Sequence, residues 1–166
     1  MIIKLKNGDV EIELYTEIAP NHVKRFTTLA KEGKYDNVVF HRVIDGFMAQ
    51  TGDVKFGNSS SDDFDLRRAG MGGSELPDLK QEFSNSDSKD FDLRRAGMGG
   101  SDLPDLKQEF SSIPHDRGTL SMARSSDPDS ANSQFFICFK PAPFLDRQYT
   151  VFGKVLEGME FVDKIK

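Results

Sequence analysis

The sequence predicts a mainly β protein, a β-barrel whose open ends are plugged by two helices. Three observations carry this reading: short apolar runs with strand-type alternation spread along the chain, a hairpin dipeptide at Asn7-Gly8, and two stretches with helical spacing. Residues 2–6 and 9–15 alternate apolar and polar around Asn7-Gly8, a strong short-range hairpin signal. Ile18-Ala19-Pro20 then opens a helix, with Pro20 tolerated in its first turn. Val23, Phe26, Leu29 and Ala30 keep helical spacing, and Gly33 supplies the stop. Residues 37–44 and 47–51 read as strands about the tight turn Asp45-Gly46, with Val43 and Ile44 suited to a buried strand. Phe47 and Met48 either face opposite sides of the second strand or straddle its start, so one of them meets solvent or a ligand. Residues 119–123, 134–139 and 149–155 are three further strands. Leu156 to Lys166 reads as a second helix with Met159, Val162 and Ile165 on one face.

At 166 residues the chain fits one domain with a sizeable core. Hydrophobic content of 37% and a mean hydropathy of −0.50 describe a soluble protein, and no apolar run approaches the ~20 residues of a membrane span. The start Met1-Ile2-Ile3-Lys4-Leu5-Lys6 alternates like a strand and lacks the apolar core of a signal peptide, so the expected location is cytoplasmic. Cys138 is the only cysteine, which excludes an intrachain disulfide, and its apolar setting suits a buried, inert thiol. A net charge of −5 argues against nucleic-acid binding through a general basic surface. The basic pairs Arg67-Arg68 and Arg94-Arg95 are flanked by aspartates and read as solvated loop charge.

The most informative run is Phe40-His41-Arg42-Val43-Ile44-Asp45-Gly46-Phe47-Met48-Ala49-Gln50-Thr51-Gly52-Asp53. A charged Arg beside large apolar side chains, with no nucleophile, general base or metal-ligand set, suits binding of an uncharged apolar group and contact with one polar atom on it. The run resembles the hallmark of the cyclophilin family of peptidyl-prolyl cis–trans isomerases. Further motifs follow in the family's order: Leu120-Ser121-Met122-Ala123-Arg124, then Asn132-Ser133-Gln134-Phe135-Phe136-Ile137, then Phe144-Leu145-Asp146 with Tyr149-Thr150-Val151-Phe152-Gly153-Lys154-Val155.

The resemblance implies a closed, antiparallel, eight-stranded β-barrel capped by two α-helices, with the active site on its outer face. It implies isomerisation of X–Pro bonds in peptides and in unfolded or flexible chains, by transition-state stabilisation and without cofactor or metal. Arg42 then donates to the prolyl nitrogen and Gln50 holds Arg42 in place. Phe47, Met48, Phe136 and Leu145 line the proline pocket, and Ala123, Gln134 and Arg124 contact the peptide backbone. Tyr149 stands where many members carry His and serves as an alternative polar wall. Phe144 replaces the Trp common in eukaryotic members, so cyclosporin binding is expected to be weak at best. His41 is read as structural, because adjacent strand residues face opposite ways and the mechanism needs no proton transfer. His22 and His115 are too far apart in sequence to argue a metal site.

Two features depart from the family pattern. The segment from Asp63 to Ser84 recurs from Asp90 to Ser111, and the only change is Glu75 to Asp102. Such near-identity indicates a tandem duplication, carried as a long loop within a single domain spanning residues 1–166. Leu-Lys-Gln-Glu-Phe resembles a barrel strand, and residues 79–83 or 106–110 could fill its slot. The second copy is expected there because it runs directly into Ser111 to Leu120, with the extra residues looped out upstream at a slowly rising entropic cost. The expected state is a monomer, with a strand-swapped dimer as the alternative assembly. Related chains also continue past the second helix into a final strand, so a chain ending at Lys166 is expected to leave the barrel unclosed.

Other chemistries fail on their motifs. Gly70-Met71-Gly72-Gly73-Ser74 lacks the Lys-Ser/Thr of a phosphate-binding loop, Asp127-Pro128-Asp129 lacks the Gly and Glu of a calcium loop, and no Gly-x-Ser-x-Gly elbow occurs. The competing reading from a different class is a proline-peptide-binding or holdase module with weak or no catalysis.

Overall fold

The structure is a computed structural model that describes residues 1–62, 64, 67–69 and 101–165. Strands β1 (Ile2–Leu5) and β2 (Gly8–Leu14) form the hairpin expected at Asn7-Gly8. Gly8 sits at φ 149°, and a Cβ there would lie 2.6 Å from the Phe161 ring, so the turn admits that ring only because the side chain is absent. Helix α1 (Pro20–Lys31) begins at the expected proline and buries Val23, Phe26 and Leu29. After it come β3 (Arg42–Ile44), β4 (Met48–Thr51), β5 (Thr119–Met122), β6 (Phe135–Cys138), a 3-10 turn at Pro143–Leu145, β7 (Val151–Glu157) and α2 (Met159–Val162).

These strands make one antiparallel, curled sheet in the order β1-β2-β7-β5-β6-β4-β3. Its concave side holds the main core, where Val10, Ile12, Ala49, Leu120, Met122, Phe135, Ile137 and Phe152 pack against Val23 and Phe26 of α1. The rings of Phe26, Phe135 and Phe152 meet at centroid separations of 5.2–5.9 Å, within the range of favourable edge and tilted contacts. Because strand side chains alternate, the opposite side of the same strands carries a second, smaller apolar cluster: Met48, Ala123, Phe136, Cys138, Ala142 and Leu145. Cys138 is buried there, and desolvation pushes its thiol up to about 12.

Among the described residues the sheet has seven strands and is not closed, since β1 does not pair with β3. A groove of about 920 Å³ separates β1 from residues 35–40, lined among others by Ile3, Leu5, Phe26, Tyr35 and Phe161. Three expectations need correction. Within the predicted strand 37–44 only Arg42–Ile44 is regular, and Val38 makes an isolated bridge to Asn58; as an edge strand it leaves Ile44 exposed. The second helix is Met159–Val162 alone, because β7 runs on through Leu156 and Glu157 to Gly158, whose φ of 90° ends the strand. Finally, the segment 106–110 contributes one isolated bridge, Leu106 to Ala131, in place of a regular strand. The other candidate, residues 79–83, lies outside the described residues.

Candidate active site

Strand register builds the site. Arg42 on β3 pairs with Gln50 on β4, Gln50 pairs with Phe136 on β6, and Phe136 pairs with Ser121 on β5. These residues form a row across the convex face, and Met48, two residues from Gln50, lies on the same side. Phe47 precedes the strand, and its carbonyl accepts from the Phe139 N–H at 2.8 Å; Phe47 and Met48 thus reach the same cavity from either side of the strand start. The 3-10 turn at Pro143–Leu145 brings Phe144 and Leu145 over the row, and Tyr149 follows before β7.

The result is a cavity of about 270 Å³ lined by Arg42, Phe47, Met48, Gln50, Ala123, Arg124, Phe136, Phe144, Leu145 and Tyr149. Met48, Phe136 and Leu145 are buried and form an apolar floor. Phe144 is 63% exposed at the rim, with its ring 5.4 Å from that of Phe47. The Tyr149 ring meets Phe136 at a steep angle of 78° and 6.0 Å, and the Arg124 guanidinium lies over the Tyr149 ring, 4.4 Å from its centroid. Arg124 is also fixed by donation from Nη2 to the Gln148 carbonyl at 2.9 Å and from Nη1 to the Ser125 carbonyl at 2.8 Å.

Arg42 is joined to the buried interior by one relay of amides. Gln134, buried behind the cavity wall, accepts at Oε1 from Gln50 Nε2 at 2.9 Å. That bond orients the Gln50 amide so that its Oε1 accepts from Arg42 Nη1 at 3.3 Å. Arg42 is exposed, and the bond to Gln50 uses one of its five donors. Of the residues predicted to form the site, all but Gln134 line the cavity, and Gln134 is joined to it through Gln50. His41 does not line the cavity; burial pushes its pKa down against the opposing pull of Asp53 and Gln134.

Sequence reasoning missed what lies beneath the floor. The His115 ring stacks on Phe136 at 6.3 Å and 16°, with Nδ1 2.9 Å from Asp146 Oδ1 and Nε2 2.9 Å from Ser121 Oγ. The His115 backbone N–H also donates to Asp146 Oδ1 at 2.8 Å, and these two bonds hold the carboxyl below the usual carboxylate range. Ser, His and Asp in a chain resemble a hydrolytic triad, but Ser121 is 0% exposed and its hydroxyl donates to the Thr150 carbonyl at 3.1 Å. With no route for a substrate to Ser121 Oγ, the three residues brace the floor. Ser121 and Asp146 stood in the quoted motifs, but nothing in the sequence joined them to the lone His115, since they come from β5 and from the turn after Leu145.

The family profile described as cyclophilin type peptidyl-prolyl cis-trans isomerase/CLD matches residues 1–166. A probable peptidyl-prolyl cis-trans isomerase of Brucella suis is 51% identical over 166 residues, covering 100% of this chain and 70% of its own. The isomerase cyp15 of Rhizopus delemar is 38% identical over 99% of this chain, which spans 20% of that longer protein. Among solved structures, a Cryptosporidium parvum cyclophilin-type isomerase, crystallised in the presence of the dipeptide Ala-Pro, superposes with a TM-score of 0.69 at 28% identity, covering 99% of this chain and 82% of its own. A cyclophilin of Hirschia baltica gives 0.68 at 26%, covering 98% and 65%. A match along the whole chain, together with a half-identical relative, makes this chain a member of the cyclophilin-type peptidyl-prolyl cis–trans isomerase family, and so an isomerase.

Proposed function

We propose that this chain accelerates X–Pro rotation in peptides and folding proteins by seating the proline ring on Met48, Phe136 and Leu145 and donating from Arg42 to the prolyl nitrogen. The barrier is about 20 kcal/mol and comes from amide resonance, which disappears when the bond twists through a right angle. No bond has to break, so the catalyst must favour the twisted state over both planar ones. In that state the nitrogen becomes pyramidal and its lone pair accepts a hydrogen bond. A guanidinium suits this task because it keeps its charge and offers several donors in a fixed plane.

The observation that carries the reading is the Arg42 guanidinium at the edge of a cavity of about 270 Å³ whose floor, Met48, Phe136 and Leu145, is apolar. That volume lies just below the range of pockets for drug-sized ligands and suits a single ring better than a larger cofactor. The apolar floor keeps water from the carbonyl, whose planar resonance form water favours, and strengthens the Arg42 field. Gln50 and Gln134 act as positioning residues for that guanidinium. Ala123 and Arg124, on the far wall, are placed to meet the peptide backbone, and Tyr149 closes that side. The Ala-Pro dipeptide named with the Cryptosporidium structure supports proline-containing peptides as the substrate class.

Two finer readings accompany this one. The near-identity of 63–84 and 90–111 supports a tandem duplication, and the groove beside β1 supports an eighth strand that closes the barrel when seated there. The test of function is cis–trans exchange of an Ala-Pro peptide, followed by NMR at equilibrium with the purified chain. Exchange well above the thermal rate is expected. Thermal-rate exchange from a folded sample would leave only a peptide-binding module.

A further inference from the structure

The second copy of the repeated segment is held on the barrel by a built docking surface. Ser101 donates from its backbone N–H and its hydroxyl to Asn132 Oδ1 at 2.6 and 2.7 Å, and Asn132 Nδ2 donates to the Leu103 carbonyl at 2.9 Å. Arg25, buried on α1, donates to the Pro104 carbonyl and to that of Asn132. Leu106 N–H donates to the Ala131 carbonyl at 2.7 Å, and Gln108 N–H to Asp129 Oδ1 at 2.9 Å. Glu109 closes the set. Its carboxylate accepts from Asn21 Nδ2 at 2.7 Å and from the His22 N–H at 3.1 Å, and lies 2.6 Å from His22 Nδ1, while its own N–H donates to Thr150 Oγ1 at 3.0 Å. Its position covers the N-terminal end of α1, where a negative charge is favoured.

Each group that this surface recognises on the second copy has an identical counterpart in the first. Ser101, Leu103, Pro104, Leu106, Gln108 and Glu109 correspond to Ser74, Leu76, Pro77, Leu79, Gln81 and Glu82. The one residue that differs is Asp102, which corresponds to Glu75 in the first copy; Asp102 is exposed and takes part in none of these hydrogen bonds. Loop closure does not separate the two arrangements either. Docking the first copy moves the same length of extra chain from upstream of the docked segment to downstream of it, and closure entropy depends on length.

We infer that the surface formed by Asn21, His22, Arg25, Asp129, Ala131, Asn132 and Thr150 is a receptor for the segment Ser-Glu/Asp-Leu-Pro-Asp-Leu-Lys-Gln-Glu, and that it accepts the first copy of its own chain as an alternative to the second. The chain therefore carries its own competing ligand and has two interchangeable threadings of one fold.

The test is a cycle of carboxylate removals, Glu82→Ala, Glu109→Ala and the double variant, read as thermal midpoints. Exchange predicts that each single substitution lowers the midpoint by less than a third of the drop in the double variant, because the untouched copy takes the site. If Glu109→Ala alone drops as far as the double variant, only the second copy docks and the inference is overturned. A double variant that fails to fold while both singles fold supports it. Sedimentation of Glu109→Ala at high concentration decides whose first copy is used. A monomer supports docking within one chain, and a concentration-dependent dimer overturns that in favour of exchange between molecules.

Discussion

Replacing Arg42 with Ala separates catalysis from folding more cleanly than any other change at the site. Arg42 lies on an edge strand, is exposed, and its described tie to the protein is a 3.3 Å bond to Gln50. Its loss should move stability by no more than about 0.5 kcal/mol, the usual range for surface substitutions. In the twisted transition state the same guanidinium is asked to make a charge-assisted hydrogen bond, and such bonds contribute roughly 1.5–3 kcal/mol. At 1.36 kcal/mol per tenfold, kcat/KM should fall by about 10- to 150-fold. The assay is NMR exchange of an Ala-Pro peptide, run beside thermal unfolding of the same sample. Arg42→Lys should recover only part of the loss, since an ammonium offers a point charge in place of a fixed plane of donors. An unchanged rate with unchanged stability would refute the donor role and, with it, the account of how the cavity lowers the barrier.

Three further outcomes are expected. His22 is fully buried and desolvation pushes its pKa down against the pull of Glu109, so its stabilising contribution is complete above the ordinary value of about 6.5 and is lost as pH falls from there toward the lowered folded value. The Glu109 carboxyl, raised by burial but lowered further by hydrogen bonds from His22 and Asn21, adds a loss at lower pH, as the carboxyl protonates; thermal midpoints from pH 7 to 4 should therefore decline, less steeply in His22→Gln. Gly158→Ala should destabilise by more than about 1 kcal/mol, because φ is 90° and a Cβ would lie 2.5 Å from the Asp9 carbonyl oxygen; a neutral effect in denaturant titration would contradict that geometry. Phe144→Trp places an N–H donor at an exposed rim position and should tighten cyclosporin binding by about 2- to 12-fold in calorimetry, the effect of one hydrogen bond of 0.5–1.5 kcal/mol.

What could be read from the chain was local or carried by contiguous motifs. Asn7-Gly8 and Pro20 located a hairpin and a helix start because turn and cap chemistry acts over a few residues. The cavity-lining residues were legible because they sit in short contiguous runs, Phe47-Met48 at the start of β4 and Phe144-Leu145 in the 3-10 turn among them. Boundaries were less legible where two patterns overlapped: Leu156 and Glu157 fit a helical face, but pairing of Glu157 with Glu11 keeps the strand going until Gly158. The braces were not legible at all. His115 reaches Asp146, and His22 reaches Glu109, across long stretches of sequence, and no periodicity encodes such a contact.

The sheet that carries the cavity has apolar packing on both sides, and every residue of β4, β5 and β6 is buried. Backbone amides in such strands open only when the whole domain does, so the floor is as rigid as the protein is stable. The rim obeys different rules, because Phe144, Arg124 and Tyr149 hang from loops and turns outside those strands. Rim residues can therefore change without disturbing the fold, whereas any change to the apolar floor is also a change to the core. Selection on the rim and selection on folding act on separate sets of side chains, and the floor answers to both.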